Sequence, residues 1–145
     1  MSISLLGATE IREIAKQLEL HPAKSLGQNF VIDGNTCQKI VRLAGIEEDD
    51  HVVEIGPGLG SLTLALLQSA HHVTAIEIDE RLAKQLPLTA ESHGVEEGHL
   101  SIINKDALKV HDIPGNPTKL VANLPYNVSV PVLLTILERF PSITS

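Results

Sequence analysis

The run Asn123-Leu124-Pro125-Tyr126 carries the residue types needed to hold a flat amine. Pro125 has no N–H and biases Leu124 towards an extended backbone, so the Leu124 carbonyl can project outward as an acceptor. The Asn123 side-chain oxygen supplies a second acceptor, and Tyr126 offers a face on which a ring can stack for roughly 1–3 kcal/mol. Two acceptors beside an aromatic suit a nucleobase, whose exocyclic NH₂ has two hydrogens to donate. The competing reading is a proline turn with an Asn cap. Composition weighs against it, because Tyr126 is the only tyrosine and, with Phe30 and Phe140, one of three aromatics in 145 residues. A core built without aromatics has no packing need for this one.

Three further positions could do chemistry. Gly56, Gly58 and Gly60 form a Gly-x-Gly-x-Gly turn that lets the backbone approach a ligand while the following helix presents free N–H groups. The spacing differs from the Gly-x-Gly-x-x-Gly of dinucleotide sites and favours a ligand without a pyrophosphate. Glu77 lies 21 residues after Gly56, where a carboxylate can accept from both hydroxyls of a ribose. Asp106 can accept from an adenine amine in the same crevice. Each has a plainer alternative: a packing turn, an exposed acid in Glu77-Ile78-Asp79-Glu80, and a capping Asp.

The elements that must position these residues repeat as strand, turn, helix. His51–Ile55, Val73–Ile76, Leu100–Ile103 and Lys119–Ala122 read as short strands, each ending just before one of the candidate residues. Ser61–Ala70 reads as a helix, a second starts near Glu80 behind an Asp79 cap and ends or breaks at Pro87, and a last one starts near Val130 with Pro131 in its first turn. Upstream, Thr9 is placed to cap a helix with Ile11, Ile14, Ala15 and Leu18 on one face. Asp33 is placed to cap another, with Cys37, Ile40, Val41 and Ala44 inward and Gly45 as its stop. Strands alternating with helices predict a parallel, doubly wound sheet with right-handed crossovers, and such sheets bind ligands beyond the carboxyl ends of their strands.

Composition bounds the rest. The chain is 43% hydrophobic, enough for one core, with no apolar run of the roughly 18 residues that span a bilayer. The cytoplasm is therefore the expected compartment. The single cysteine, Cys37, excludes an internal disulfide and is expected as a small buried hydrophobe. Seven histidines at 21, 51, 71, 72, 93, 99 and 111 show no metal-ligand spacing, so no metal is assigned and they are expected on the surface or in loops. A formal net charge of −7 is the wrong sign for gripping a polyanion unaided.

The order of these features on four successive strands resembles the S-adenosylmethionine-dependent amino-methyltransferases. Within that class, Gly27-Gln28-Asn29-Phe30, Glu54-Ile55-Gly56-Pro57-Gly58-Leu59-Gly60 and Asn123-Leu124-Pro125-Tyr126-Asn127-Val128-Ser129 resemble the KsgA-type small-subunit ribosomal RNA adenine dimethyltransferases, over roughly residues 24 to 140. The resemblance implies a Rossmann-like α/β fold. It implies a helical arm and cofactor-lining segment over residues 1–30 and a partial methyltransferase domain over 31–145, truncated after about four of seven strands. By the same resemblance, a C-terminal RNA-binding domain is expected to lie outside this chain.

S-adenosyl-L-methionine is the implied cofactor. Asn29 and Val31 would line its pocket, Gly56 would approach the methionine part, Glu77 the ribose and Asp106 the adenine. Asn123 and the Leu124 carbonyl would hold the target N6 amine, with Tyr126 stacked on its base. The implied substrate is a pair of adjacent adenosines in small-subunit rRNA within the pre-30S subunit, engaged through the full-length protein. The fragment itself is expected to be nearly inactive and to expose its fourth strand as an edge open to self-association. Two alternatives share the fold: a ribosome-assembly factor that binds RNA without fast catalysis, and a DNA adenine N6-methyltransferase, whose loop more often resembles Asp-Pro-Pro-Tyr.

Overall fold

Short apolar runs bounded by glycine, proline and polar residues form a parallel sheet when helices cover both of its faces. A computed structural model describes residues 2–18, 34–122 and 126–143, and in it the four expected strands form one such sheet. The strands are β1 (His51–Ile55), β2 (His72–Ile76), β3 (Leu100–Ile103) and β4 (Lys119–Ala122), all parallel, in the order β3-β2-β1-β4. The chain steps outward from β1 to β3 and then crosses to the other side of β1 for β4. That reversal is the topological switch at which α/β sheets bind ligands.

The helices are α1 (Ala8–Gln17), α2 (Gly34–Leu43), α3 (Ser61–Ser69), α4 (Glu80–Ser92) and α5 (Tyr126–Arg139), with one 3₁₀ turn over Ala107–Lys109. On one face of the sheet Val52 and Val73 pack with Cys37 and Val41 of α2 and Leu62, Ala65 and Leu66 of α3. On the other, Val53, Ile55 and Ile76 pack with Val110, Ile113, Val132 and Ile136. A third cluster joins Ile11, Ile14 and Ala15 of α1 to Leu64, Leu82, Ala90 and Leu59 of the glycine turn. Cys37 is buried, as a small hydrophobe should be.

Several helix ends differ from the sequence reading. Gly7, not Thr9, is the N-cap of α1. Thr9 lies inside the first turn, where its hydroxyl accepts from the Arg12 guanidinium at 3.4 Å. Asp33 lies outside the described residues. Asp79 does cap α4, accepting from the Arg81 N–H at 2.8 Å and the Leu82 N–H at 3.4 Å. Pro87 does not end that helix but sits within it. Its ring is exposed, while Leu86, Thr89 and Ala90 around it are buried, so packing offsets the lost backbone hydrogen bond. Pro131 is likewise inside a helix, because α5 starts at Tyr126 rather than near Val130 and is held by buried Val132 and Ile136. Among the described residues no helix is long and apolar enough to cross a membrane.

Candidate functional site

A cleft of about 230 Å³ opens at the carboxyl ends of β1, β2 and β3. It is lined by Gly56 after β1, Glu77 and Ile78 after β2, and Lys105, Asp106 and Leu108 after β3, with Val132 of α5 as its apolar wall. Three residues singled out from their spacing, Gly56, Glu77 and Asp106, therefore meet in one place. The ladder runs past the strand ends to hold them there: the Gly56 N–H donates to the Ile76 carbonyl and the Glu77 N–H to the Ile103 carbonyl, both at 3.0 Å.

The glycine turn needs its glycines. Gly56, Gly58 and Gly60 have φ of 74°, 60° and 103°, in the left-handed region that side chains avoid. A Cβ on Gly60 would also stand 2.7 Å from Leu86 Cδ1. Between them Leu59 turns inward and is buried in the α1–α4 cluster. No side chain caps α3, which starts directly after Gly60.

Glu77 is almost completely buried, and backbone donors fix its carboxylate. The Gly58 N–H reaches Oε1 at 3.3 Å and the Asp79 N–H reaches Oε2 at 3.0 Å. Burial pushes its carboxyl above the ordinary range, and these N–H groups partly offset that push. Each oxygen keeps capacity for another donor, which is the arrangement that two vicinal hydroxyls require. Asn104 steadies the same corner by donating its amide to the Glu77 carbonyl at 2.8 Å and to the Ile78 carbonyl at 3.3 Å. Asp106 does cap, since its Oδ1 accepts from the Leu108 N–H at 3.0 Å to start the 3₁₀ turn, and it lines the cleft as well. Ile78 and Leu108 are 64% and 41% exposed on either side, which gives the mouth an apolar rim.

Sequence reasoning gave Glu54 no role, although a charged residue in a strand buried on both faces was a visible signal. Glu54 is fully buried, and its carboxyl is pushed up to about 7, first by burial and then by the negative charge of Glu77, against a hydrogen bond from Thr63. The Thr63 hydroxyl donates to Oε1. Oε2 has no hydrogen-bond partner among the described residues, and neither has the buried hydroxyl of Ser61, the first residue of α3. Orphaned polar atoms beneath a glycine turn fit a site that a polar ligand completes.

Asn29, Val31, Asn123 and Leu124 lie outside the described residues, as does the Tyr126 side chain, whose backbone opens α5. Among the described histidines, His71, His93, His99 and His111 lie in turns and loops as expected from their scatter, whereas two lie in strands. His51 and His72 start β1 and β2, their rings meet edge to face at 4.8 Å, and each is hydrogen-bonded, to Thr74 at 2.7 Å and to Ser101 at 2.9 Å. Sequence gave no warning because these partners stand 23 and 29 residues away. They lie at the amino ends of the strands, opposite the cleft. No group of three or more His, Cys, Asp or Glu among the described residues could hold a metal.

Comparison with known proteins agrees with this geometry. A ribosomal RNA small subunit methyltransferase A from Corynebacterium jeikeium is 59% identical over 97% of this chain and 46% of its own length. The chain spans about half the length of the curated relatives it matches. Among solved structures, the 23S rRNA methyltransferase ErmE superposes with a TM-score of 0.65 at 32% identity, over 79% of this chain and 45% of its own. A dimethyladenosine transferase from Plasmodium falciparum gives 0.65 at 31% identity, over 77% of this chain and 39% of its own. The ribosomal RNA adenine dimethylase family matches residues 20–144, and with the cleft and its carboxylates set at the switch point of a Rossmann-like sheet, the chain belongs to that family.

Proposed function

We propose that this chain is the cofactor-binding part of an S-adenosyl-L-methionine-dependent enzyme. The enzyme dimethylates two adjacent adenosines at N6 in small-subunit rRNA, acting on the pre-30S particle in the cytoplasm. The observation that carries the reading is the meeting of Gly56, Glu77 and Asp106 in one cleft, with the Glu77 carboxylate fixed by two backbone N–H groups. Glu77 takes the ribose hydroxyls, Asp106 the adenine amine, and Ile78 and Leu108 offer apolar contact to the adenine ring. Gly56 and the turn after it lie along the methionine part, with Asn29 and Val31 completing the pocket.

The cofactor supplies an activated methyl group, so the protein needs no strong base. An adenine N6 lone pair is delocalised into its ring and is a poor nucleophile, which makes positioning decisive. Holding the amine in line for transfer removes roughly 7–11 kcal/mol in ideal cases. Asn123 and the Leu124 carbonyl accept from its hydrogens and stabilise the charge that develops on nitrogen, while Tyr126 stacks on the base. A paired adenine must be flipped out to reach them. A charge of −7 leaves the RNA grip to other parts of the full-length protein.

Titration calorimetry of this chain with S-adenosyl-L-methionine tests the proposal. Saturable one-to-one binding that weakens in Glu77→Ala and Asp106→Ala is expected. Equal affinity in both variants would overturn it.

A further inference from the structure

Glu54 stands near the end of β1, just before the glycine turn, with one carboxylate oxygen paired and the other without a partner among the described residues. We propose that Glu54 is a proton-exchanging counter-charge: it holds a proton in the free protein and releases it to solvent when a cationic ligand settles against the glycine turn. The inference rests on the reading of the cleft as the cofactor site, and it adds to that reading a residue and a proton.

Three observations carry it. First, the described residues around Glu54 offer it no neutralising charge. Its register neighbours are Ala75 on β2 and Val121 on β4, and from α3 it meets the Thr63 hydroxyl. The charged group that acts on it is Glu77, and beyond Glu77 stands Asp79, paired with Arg81 at 3.3 Å. Two buried carboxylates that repel each other do not both ionise readily. Second, the acceptor is already built. The Thr63 hydroxyl orients the carboxyl through Oε1, and Oε2 has no partner among the described residues. A protonated Oε2 satisfies the neutral form poorly in an apolar setting, and an ionised one requires a positive partner. Third, Ile55 and Gly56, the two residues after Glu54, line the cleft, so the strand that carries this carboxylate runs directly into the wall of the site.

The sign follows from linkage. With the free carboxyl titrating at about 7, a ligand that favours the ionised form expels the proton at pH below that value and binds tighter as pH rises. A single proton released on binding changes affinity by about tenfold per pH unit below the free value, so about tenfold is expected between pH 6 and pH 8. His51, His71, His72 and His99 lie at the far ends of the strands, where a ligand in the cleft does not touch them.

The test is calorimetry of the chain with S-adenosylmethionine and with S-adenosylhomocysteine, each in two buffers of different ionisation enthalpy at about pH 6 and about pH 8. At the lower pH the buffer difference should report release of close to one proton, and the affinity should rise about tenfold to the higher pH. Release with both ligands assigns the effect to their shared ammonium, and release with S-adenosylmethionine alone assigns it to the sulfonium. Both results support the proposal. Glu54→Gln should abolish the buffer dependence. Persistence of proton release in that variant would move the proton to Glu77 and overturn the assignment. Binding with equal heats in both buffers and a flat pH profile overturns the proposal while leaving the cofactor site intact, and this needs only the unaltered chain. No binding at any pH overturns the cofactor-site reading and this inference with it.

Discussion

The two ends of the sheet make opposite use of polar residues. At the amino ends of the strands, Asp50 accepts from the Glu47 N–H at 2.7 Å and the Thr118 hydroxyl at 2.7 Å, and Lys119 stands 3.7 Å away. Burial alone would raise the Asp50 carboxyl, but those partners hold it below the usual range. His51, His72 and His99 are each hydrogen-bonded. At the carboxyl ends Glu54 and Glu77 are both pushed up, two buried oxygens have no partner among the described residues, and three glycines hold left-handed conformations. One end closes its polar accounts within the protein, whereas the other leaves them for a ligand. Both ends are rich in titratable groups, and what separates structure from site is whether those groups are satisfied.

The contrast can be broken most sharply at Glu77. Removing a carboxylate that accepts two hydroxyls should cost about 3 kcal/mol or more of binding, a hundredfold or greater loss by calorimetry. Glu77→Gln, which keeps the shape, should fall between wild type and Glu77→Ala. Glu54→Gln comes next, through stability. A carboxyl whose folded value is raised contributes stability that is present below its unfolded value of about 4.5 and lost as pH rises through about 7. Urea unfolding should show wild type losing on the order of 3 kcal/mol across that window from this group, and the variant should lack that slope. Asp106→Ala should weaken the cofactor by about tenfold, the worth of one hydrogen bond to a charged acceptor.

Thr118→Val, at the other end, should lower stability by about 1 kcal/mol in urea and leave cofactor affinity unchanged. A change in affinity there would dissolve the distinction between the two ends. The smallest effect belongs to His51, whose value is lowered by burial and by His72 and His71. A histidine lowered in the folded state contributes stability above its ordinary value of 6.5 and loses it as pH falls below that. His51→Asn should therefore flatten the acid side of the stability profile without touching binding.

The strands were legible in the sequence because a strand buried on both faces is a short apolar run with punctuation at each end, and β1, β3 and β4 match their expected bounds residue for residue. The helix ends were less legible. Pro87 reads locally as a break and Pro131 as a helix start, yet buried neighbours on the same helices carry the chain through both. Gly56, Glu77 and Asp106 could be found because topology converts position after a strand into position in a cleft. Glu54 was hidden inside a motif read for its glycines, and its condition depends on the approach of Glu77 and Thr63 in space. The histidine end was illegible for the same reason, since each ring finds its partner across the sheet.

Leu59 has a further consequence for how a ligand enters. Its side chain pins the middle of the glycine turn between α1 and α4, so the turn cannot fold over an arriving molecule by itself. The turn is thus ordered before encounter, and most of the conformational entropy that a flexible loop would lose on binding has already been lost in folding. Capture should then be a single-step event whose rate constant scales linearly with ligand concentration, with no slow isomerisation after contact. Loosening α1, far from any ligand atom, should appear as faster amide exchange at Gly58 and Gly60.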